Sequence, residues 1–173
     1  LALSFGVTYW DDLGWRDTFA SRANTQRQWD YAHGLGHLNV FTPQVVVNGR
    51  ADVVGTTMAE IDRARSRAAP LGGPSIALEA DRVALGASPA PSRQAVVWLV
   101  RYDPRVVQVP VRRGENAGKT LPHRNVVRQL VRLGAYDGRA ATYRLPPSAD
   151  AAWRTAVLVQ SGAGGPILAA ARG

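Results

Sequence analysis

Two tryptophans and three carboxylates crowd one short stretch, Trp10-Asp11-Asp12-Leu13-Gly14-Trp15-Arg16-Asp17. Indoles beside Asp side chains stack on a polar ligand or peptide and hydrogen-bond to it. The same residues also suit a structural loop pinned by buried Trp, with Asp17 capping a helix. The stretch follows an apolar run, residues 1–8, that reads as a buried strand. Loops at the C-terminal ends of parallel strands are where open α/β sheets place ligands. Tyr9, Trp10, Asp11, Trp15 and Asp17 are therefore candidate binding residues.

Other chemistry is thin. The chain has no Cys, which excludes disulfides, zinc–thiolate sites and a thiol redox cycle within these 173 residues. His33 and His37 have the i, i+4 spacing of a metal pair, but Gly34 and Gly36 end the helix there and no acidic triad completes the set. Gly114-Glu115-Asn116-Ala117-Gly118-Lys119-Thr120 falls one residue short of a phosphate loop and reads as a turn between strands. No Gly-x-Ser-x-Gly elbow is present, and the pairs Asp11/Asp12 and Glu60/Asp62 offer no flanking acid–base geometry. No cofactor is expected.

Charge runs to 21 basic against 13 acidic residues, a net +8, and every basic residue but Lys119 is Arg. The arginines are scattered, with no stripe to neutralise successive phosphates, so a nucleic-acid partner is not expected. Anionic surfaces are still favoured without specificity. Nothing reaches the 18 or so apolar residues of a membrane span.

The elements that must position the candidates fall into two textures. Residues 1–70 read as mixed α/β and residues 75–173 as an all-β sandwich of immunoglobulin type, joined by Pro70-Leu71-Gly72-Gly73-Pro74. Ser21 caps a helix over residues 22–35, carrying Trp29, Ala32 and Leu35. Asn48-Gly49 between β-branched residues predicts a hairpin of residues 44–47 with 51–55. Thr57-x-x-Glu60 is a capping box for a second helix with an apolar stripe of Met58, Ile61, Ala64 and Ala68. Strands are expected at residues 75–80, 82–87, 94–102, 106–112, 126–133, 142–145, 156–160 and 167–170; the stretch 124–133 also fits helical spacing.

Several spaced strings point to one family. Tyr9-Trp10-Asp11, Leu13-Gly14-Trp15, Asp17, Arg27-Gln28, Thr42-Pro43-Gln44, Asn48-Gly49-Arg50 and Val54-Gly55 carry the resemblance in the first half. Gly114 to Leu121, His123, Asn125-Val126-Val127-Arg128 and Gly165-Pro166-Ile167-Leu168 carry it in the second. The chain resembles bacterial secreted proteins of domain-of-unknown-function family 1223 over almost its whole length. The resemblance implies a thioredoxin-like fold, a periplasmic or secreted location, and a cis Pro43 opening an antiparallel strand. It adds Thr42 and Pro43 to the candidate site and makes His123 an anchor of the sandwich.

The chain departs from that pattern twice. Family members carry an upstream strand, a Cys-x-x-Cys turn and a helix, lying between the strand of residues 1–8 and that of Pro43; this sequence holds no Cys. Relatives read His-Val-Asp-Tyr-Trp where Gly6-Val7-Thr8-Tyr9-Trp10 stands. The expectation is a partial thioredoxin-like domain (residues 1–70) plus a β-sandwich (75–173), trimmed from a longer chain whose full form does thiol–disulfide chemistry or binds thiol-bearing partners. The alternatives are a non-enzymatic envelope module that binds a protein or peptide partner through Trp10, Trp15 and the sandwich, and a subunit whose missing strand comes from a partner.

Overall fold

The computed structural model describes residues 1–13, 16–89, 91, 94–113 and 117–173. Helix α1 (Arg22–Gly34) begins where Ser21 Oγ accepts the Asn24 backbone N–H at 3.1 Å, and it closes with the Leu35 N–H on the Tyr31 carbonyl at 2.9 Å. Strands β1 (Gln44–Val47) and β2 (Ala51–Val54) form an antiparallel hairpin in register Gln44↔Val54 to Val47↔Ala51. Asn48 and Gly49 both have positive φ, 51° and 64°, which is the turn that their sequence predicts.

Two first-half expectations are corrected. Residues 1–8 do not form a strand. A ladder needs successive residues paired with one neighbour, yet Ser4 bridges Val126 while Gly6 bridges Ala20, so the pairing is split between two elements. Helix α2 (Met58–Arg67) forms, but Thr57 makes no side-chain cap bond and no α2 residue is buried. Met58, at the start of the apolar stripe, is 68% exposed, whereas Ile61, Ala64 and Ala68 are half-buried, and α2 packs on the small β1–β2 hairpin.

The remaining strands are β3 (Ile76–Leu78), β4 (Arg82–Leu85), β5 (Ala95–Asp103), β6 (Val107–Pro110), β7 (Thr120–His123), β8 (Val126–Tyr136), β9 (Ala141–Arg144), β10 (Arg154–Ser161) and β11 (Ile167–Arg172). They make a four-stranded sheet in the order β11-β10-β5-β8, a three-stranded sheet β3-β4-β9 and a hairpin β6-β7, all antiparallel. The region 126–133 is strand, not helix, because its apolar residues divide between two sheet faces, Val127 and Leu130 on one and Val131 and Leu133 on the other; Arg124 and Asn125 precede the strand. β7 lies beyond the expected strands: Pro122 masks it in sequence, but as a member of a two-stranded hairpin it has a free edge where Pro is tolerated. Of the string expected to turn, Gly114, Glu115 and Asn116 lie outside the described residues.

β5 explains the architecture. Its sequence, Ala-Val-Val-Trp-Leu-Val-Arg-Tyr-Asp, is apolar on both faces, as a doubly covered strand must be. Ala95, Val97 and Leu99 face the three-stranded sheet and join Val83, Leu85, Tyr136, Leu145, Val157 and Val159 in the main core. Val100 and Tyr102 face the other way and pack with Val127, Ala156, Leu3 and Phe5. Full burial of each such side chain stabilises by about 1.5–3 kcal/mol. The second face of the sheet thus carries the α-containing half.

Arg27 of α1 seals that contact. It is 9% exposed and its guanidinium lies over Phe5, Tyr31 and Trp98, at 5.8, 5.0 and 5.6 Å from the ring centroids. It also donates to the Tyr31 hydroxyl at 2.9 Å, and burial pushes the Tyr31 phenol above its ordinary value. Gly164 lies against the Asp30 carbonyl of α1, and the Ile167 N–H donates to the Asn48 carbonyl at 2.9 Å. One turn, residues 162–166, therefore touches both α1 and the β1–β2 hairpin.

Candidate functional site around Tyr9, Trp10 and Thr42

The site is built from two loops that α1 holds together. Thr8 is fixed first: its N–H donates to Thr25 Oγ1 at 2.9 Å, and the two Thr hydroxyls are 2.9 Å apart. The Asp11 N–H then donates to the Thr8 carbonyl at 3.0 Å and starts a short 3₁₀ turn, Asp11–Leu13. That turn presents Tyr9 and Trp10 side by side, ring centroids 5.4 Å apart and planes inclined by 51°.

The second loop, residues 36–43, is held from both sides. Gln28 of α1 donates its amide to the Phe41 carbonyl at 2.8 Å. His37 Nε2 lies 3.0 Å from Asp52 Oδ1, and Gln44 donates to Asp52 Oδ2 at 2.6 Å. The His37 ring also meets Phe41 edge-on, at 5.8 Å. The Gly55 N–H donates to the Pro43 carbonyl at 2.9 Å. The Thr42–Pro43 peptide bond is cis, as the resemblance implied.

The loops meet at Thr42. Its Oγ1 hydrogen-bonds the Tyr9 hydroxyl and accepts from the Trp10 indole N–H at 3.4 Å. Trp10, 47% exposed, and the exposed Thr42 and Pro43 leave this cluster open to solvent. The structure therefore brings together Tyr9, Trp10, Thr42 and Pro43 from positions more than 30 residues apart. Asp11 and Asp17 turn out to support the loop: Asp11 Oδ1 accepts the Asp17 N–H at 3.1 Å, and Asp17 Oδ1 accepts the Phe19 N–H at 2.9 Å. Trp15 lies outside the described residues.

Chemically this is a surface of hydroxyls, one indole donor and two aromatic rings. Among the described residues no carboxylate or imidazole hydrogen-bonds the Thr42 hydroxyl; its partners are Tyr9 and Trp10. Among those same residues no three His, Asp or Glu cluster as metal ligands. The arrangement suits stacking and backbone hydrogen bonding. Sequence reasoning missed His37, Asp52 and Gln44 as supports of the Thr42 loop; nothing in their spacing marks a contact between a post-helix loop and a hairpin.

No curated protein matches the sequence. The fold is similar to the crystal structure of a structural-genomics target protein from Agrobacterium tumefaciens. The TM-score is 0.73 and the identity 30%, over 98% of this chain and 78% of that one. The model of the family described as Protein of unknown function (DUF1223) matches residues 1–160, and the chain belongs to that family.

Proposed function

We propose that the Tyr9–Trp10–Thr42–Pro43 surface binds an extended polypeptide, as part of a partial thioredoxin-like domain (residues 1–70) beside an immunoglobulin-like sandwich (75–173), in a periplasmic or secreted protein. The observation that carries the reading is the convergence of the Tyr9 hydroxyl and the Trp10 indole on Thr42 Oγ1, next to an exposed ring. Two amphipathic aromatics at an open loop offer stacking area and a polar tip to a peptide backbone. The fold class and location extend the resemblance; the support from structure is the mixed α/β first half and the two facing sheets of the second.

The strand–turn–helix unit that the resemblance implies would pair with the outer edge of β1. β1 has no strand partner on its outer edge among the described residues, and α2 has no fully buried residue. A groove of about 950 Å³ lies between β2 and α2, with Val53, Val54 and Ala64 among its walls and Val47 as its one residue from β1. With the two thiols of such a unit the surface would serve thiol–disulfide exchange, whose nucleophile is a thiolate; without them it is a binding module.

The test is calorimetric titration with a reduced, carboxymethylated polypeptide. The Trp10→Ala and Thr42→Ala variants are expected to bind at least tenfold more weakly, about 1.4 kcal/mol. Equal affinity in Trp10→Ala, or no binding by the wild type, overturns the reading. Thiol titration of the protein from its native host separates the two forms: two thiols favour exchange, none the binding module.

A further inference from the structure

A second groove lies on the far side of α1, and its geometry is that of an edge strand facing a helix. β8 ends the four-stranded sheet, so its outer side has no strand partner among the described residues. Ser4 shows that this side accepts an extended chain: its N–H donates to the Asn125 carbonyl at 3.0 Å, and its carbonyl accepts the Val127 N–H at 2.9 Å. The first segment then leaves, because Gly6 bridges Ala20. Beyond that point a cleft of about 230 Å³ separates Val127–Leu130 of β8 from Thr18–Ser21 and from Ala23 and Asn24 in the first turn of α1, with Trp153 at its side.

The electrostatics of the cleft have one sign. Among the described residues no carboxylate lines it. Arg128 is the extra residue of a β-bulge, since Tyr102 pairs with Val127 and Arg101 with Gln129. The bulge directs its guanidinium over Phe19 and Trp153, at 4.9 and 5.6 Å from the ring centroids. Arg22 opens α1, next in sequence to the lining residues Ser21 and Ala23, and Arg132 follows on β8, two positions beyond Leu130; both are exposed and lie outside the lining itself. A second bulge falls at Leu133, between the pairs Trp98↔Arg132 and Val97↔Gly134. Gln129–Arg132 is thus a regular stretch of edge between two bulges.

We propose that this cleft takes an extended, acidic segment of another polypeptide as an added strand on β8. Main-chain bonds to Leu130 and Arg132, whose backbone groups point away from β5 beyond the Arg128 bulge, supply the pairing, and Arg128, Arg132 and Arg22 select alternate acidic side chains. A second copy of this chain is a poor occupant. Pairing β8 with itself would set Arg128 and Arg132 of one chain among those of the other, and like charges across a sheet repel.

The probe is a fluorescein-labelled nonapeptide, Glu-Val-Glu-Val-Thr-Val-Glu-Val-Glu, titrated into the full chain and followed by anisotropy and amide hydrogen exchange. The expected result is saturable binding below 1 mM, slowed exchange at the Leu130 and Arg132 amides, and at least tenfold weaker binding by Arg128→Glu/Arg132→Glu. The single Arg132→Glu variant serves if the double variant misfolds, with a threefold loss expected. No binding up to 1 mM overturns the proposal. So does binding that survives N-methylation of alternate peptide amides, binding of a Lys-for-Glu peptide with equal affinity, or the same protection from an oligonucleotide of equal charge.

Discussion

Gly164 gives the sharpest stability test. Its φ is +65°, and a Cβ built there would overlap the carbonyl carbon and oxygen of Asp30 and lie 2.8 Å from the Tyr31 nitrogen. These are backbone atoms of α1, so no side-chain rotation relieves the clash. Two costs add in Gly164→Ala. A left-handed conformation costs an L-residue about 1–2 kcal/mol. Overpacking a close-packed contact costs about 1–3 kcal/mol. The sum is about 2–5 kcal/mol, a large share of the 5–15 kcal/mol that holds an ordinary domain. With a urea slope near 2 kcal/mol per molar, the midpoint falls by about 1–2.5 M. Two controls isolate the clash. Gly36 has φ +83° and nothing within 4 Å of the added Cβ, so Gly36→Ala carries only the conformational cost. Gly72 has neither feature, so Gly72→Ala is expected to be neutral or slightly stabilising. Urea titration followed by tryptophan fluorescence and by far-ultraviolet circular dichroism ranks the three. If Gly164→Ala falls within about 0.5 kcal/mol of Gly36→Ala, the close approach of this turn to α1 is refuted.

Further outcomes follow from other contacts. Arg27→Ala removes a guanidinium shared by three rings and is expected to cost about 2 kcal/mol, while Arg27→Met, which keeps an unbranched stem, recovers part of that in the same urea assay. The Asp103 carboxyl is held below its ordinary value, chiefly by side-chain bonds from Arg105 at 2.8 and 2.7 Å. A lowered folded pKa gives stability that is present above the unfolded value and lost as pH falls through the folded one; urea midpoints between about pH 2 and 6 should therefore fall less steeply on the acid side in Asp103→Asn. Val54 and Met58 are 46% and 68% exposed, so Val54→Thr and Met58→Gln should stay within about 0.5 kcal/mol of wild type and raise solubility in a precipitation assay.

What the sequence made legible was local. Ser21, the Asn48-Gly49 turn and the long apolar run of β5 each act on neighbouring residues, and each appears where its chemistry requires. The pairing of Tyr9 and Trp10 with Thr42 was legible only through the family pattern, since nothing within either stretch encodes a contact across 33 residues. Residues 1–8 misled because apolar character marks burial, not pairing. Leu3 and Phe5 do pack on the sheet, yet the backbone between them finds single bridges. α2 misled in the opposite way: its spacing is helical and its helix forms, but a hairpin of two four-residue strands is too small to bury the stripe fully and leaves Met58 exposed. Asp11 and Asp17 looked like ligand groups because a carboxylate in a loop has the same sequence whether it faces solvent or a backbone N–H.

The site and the sandwich are mechanically one system, and α1 is the link. Thr25 holds the Tyr9–Trp10 loop and Gln28 holds the Thr42 loop, both from the same helix. That helix is in turn placed by Arg27 against Trp98 and by the close contact of Gly164 with Asp30, both set by the second half. A displacement of α1 on the sheet therefore moves both loops together and leaves the Thr42 cluster intact while tilting it. A change within one loop separates Thr42 from Tyr9. Substitutions at Arg27 and at Gln28 should accordingly differ in kind. The first lowers global stability and leaves peptide affinity per folded molecule nearly unchanged; the second leaves stability nearly unchanged and weakens the surface that Trp10 and Thr42 share.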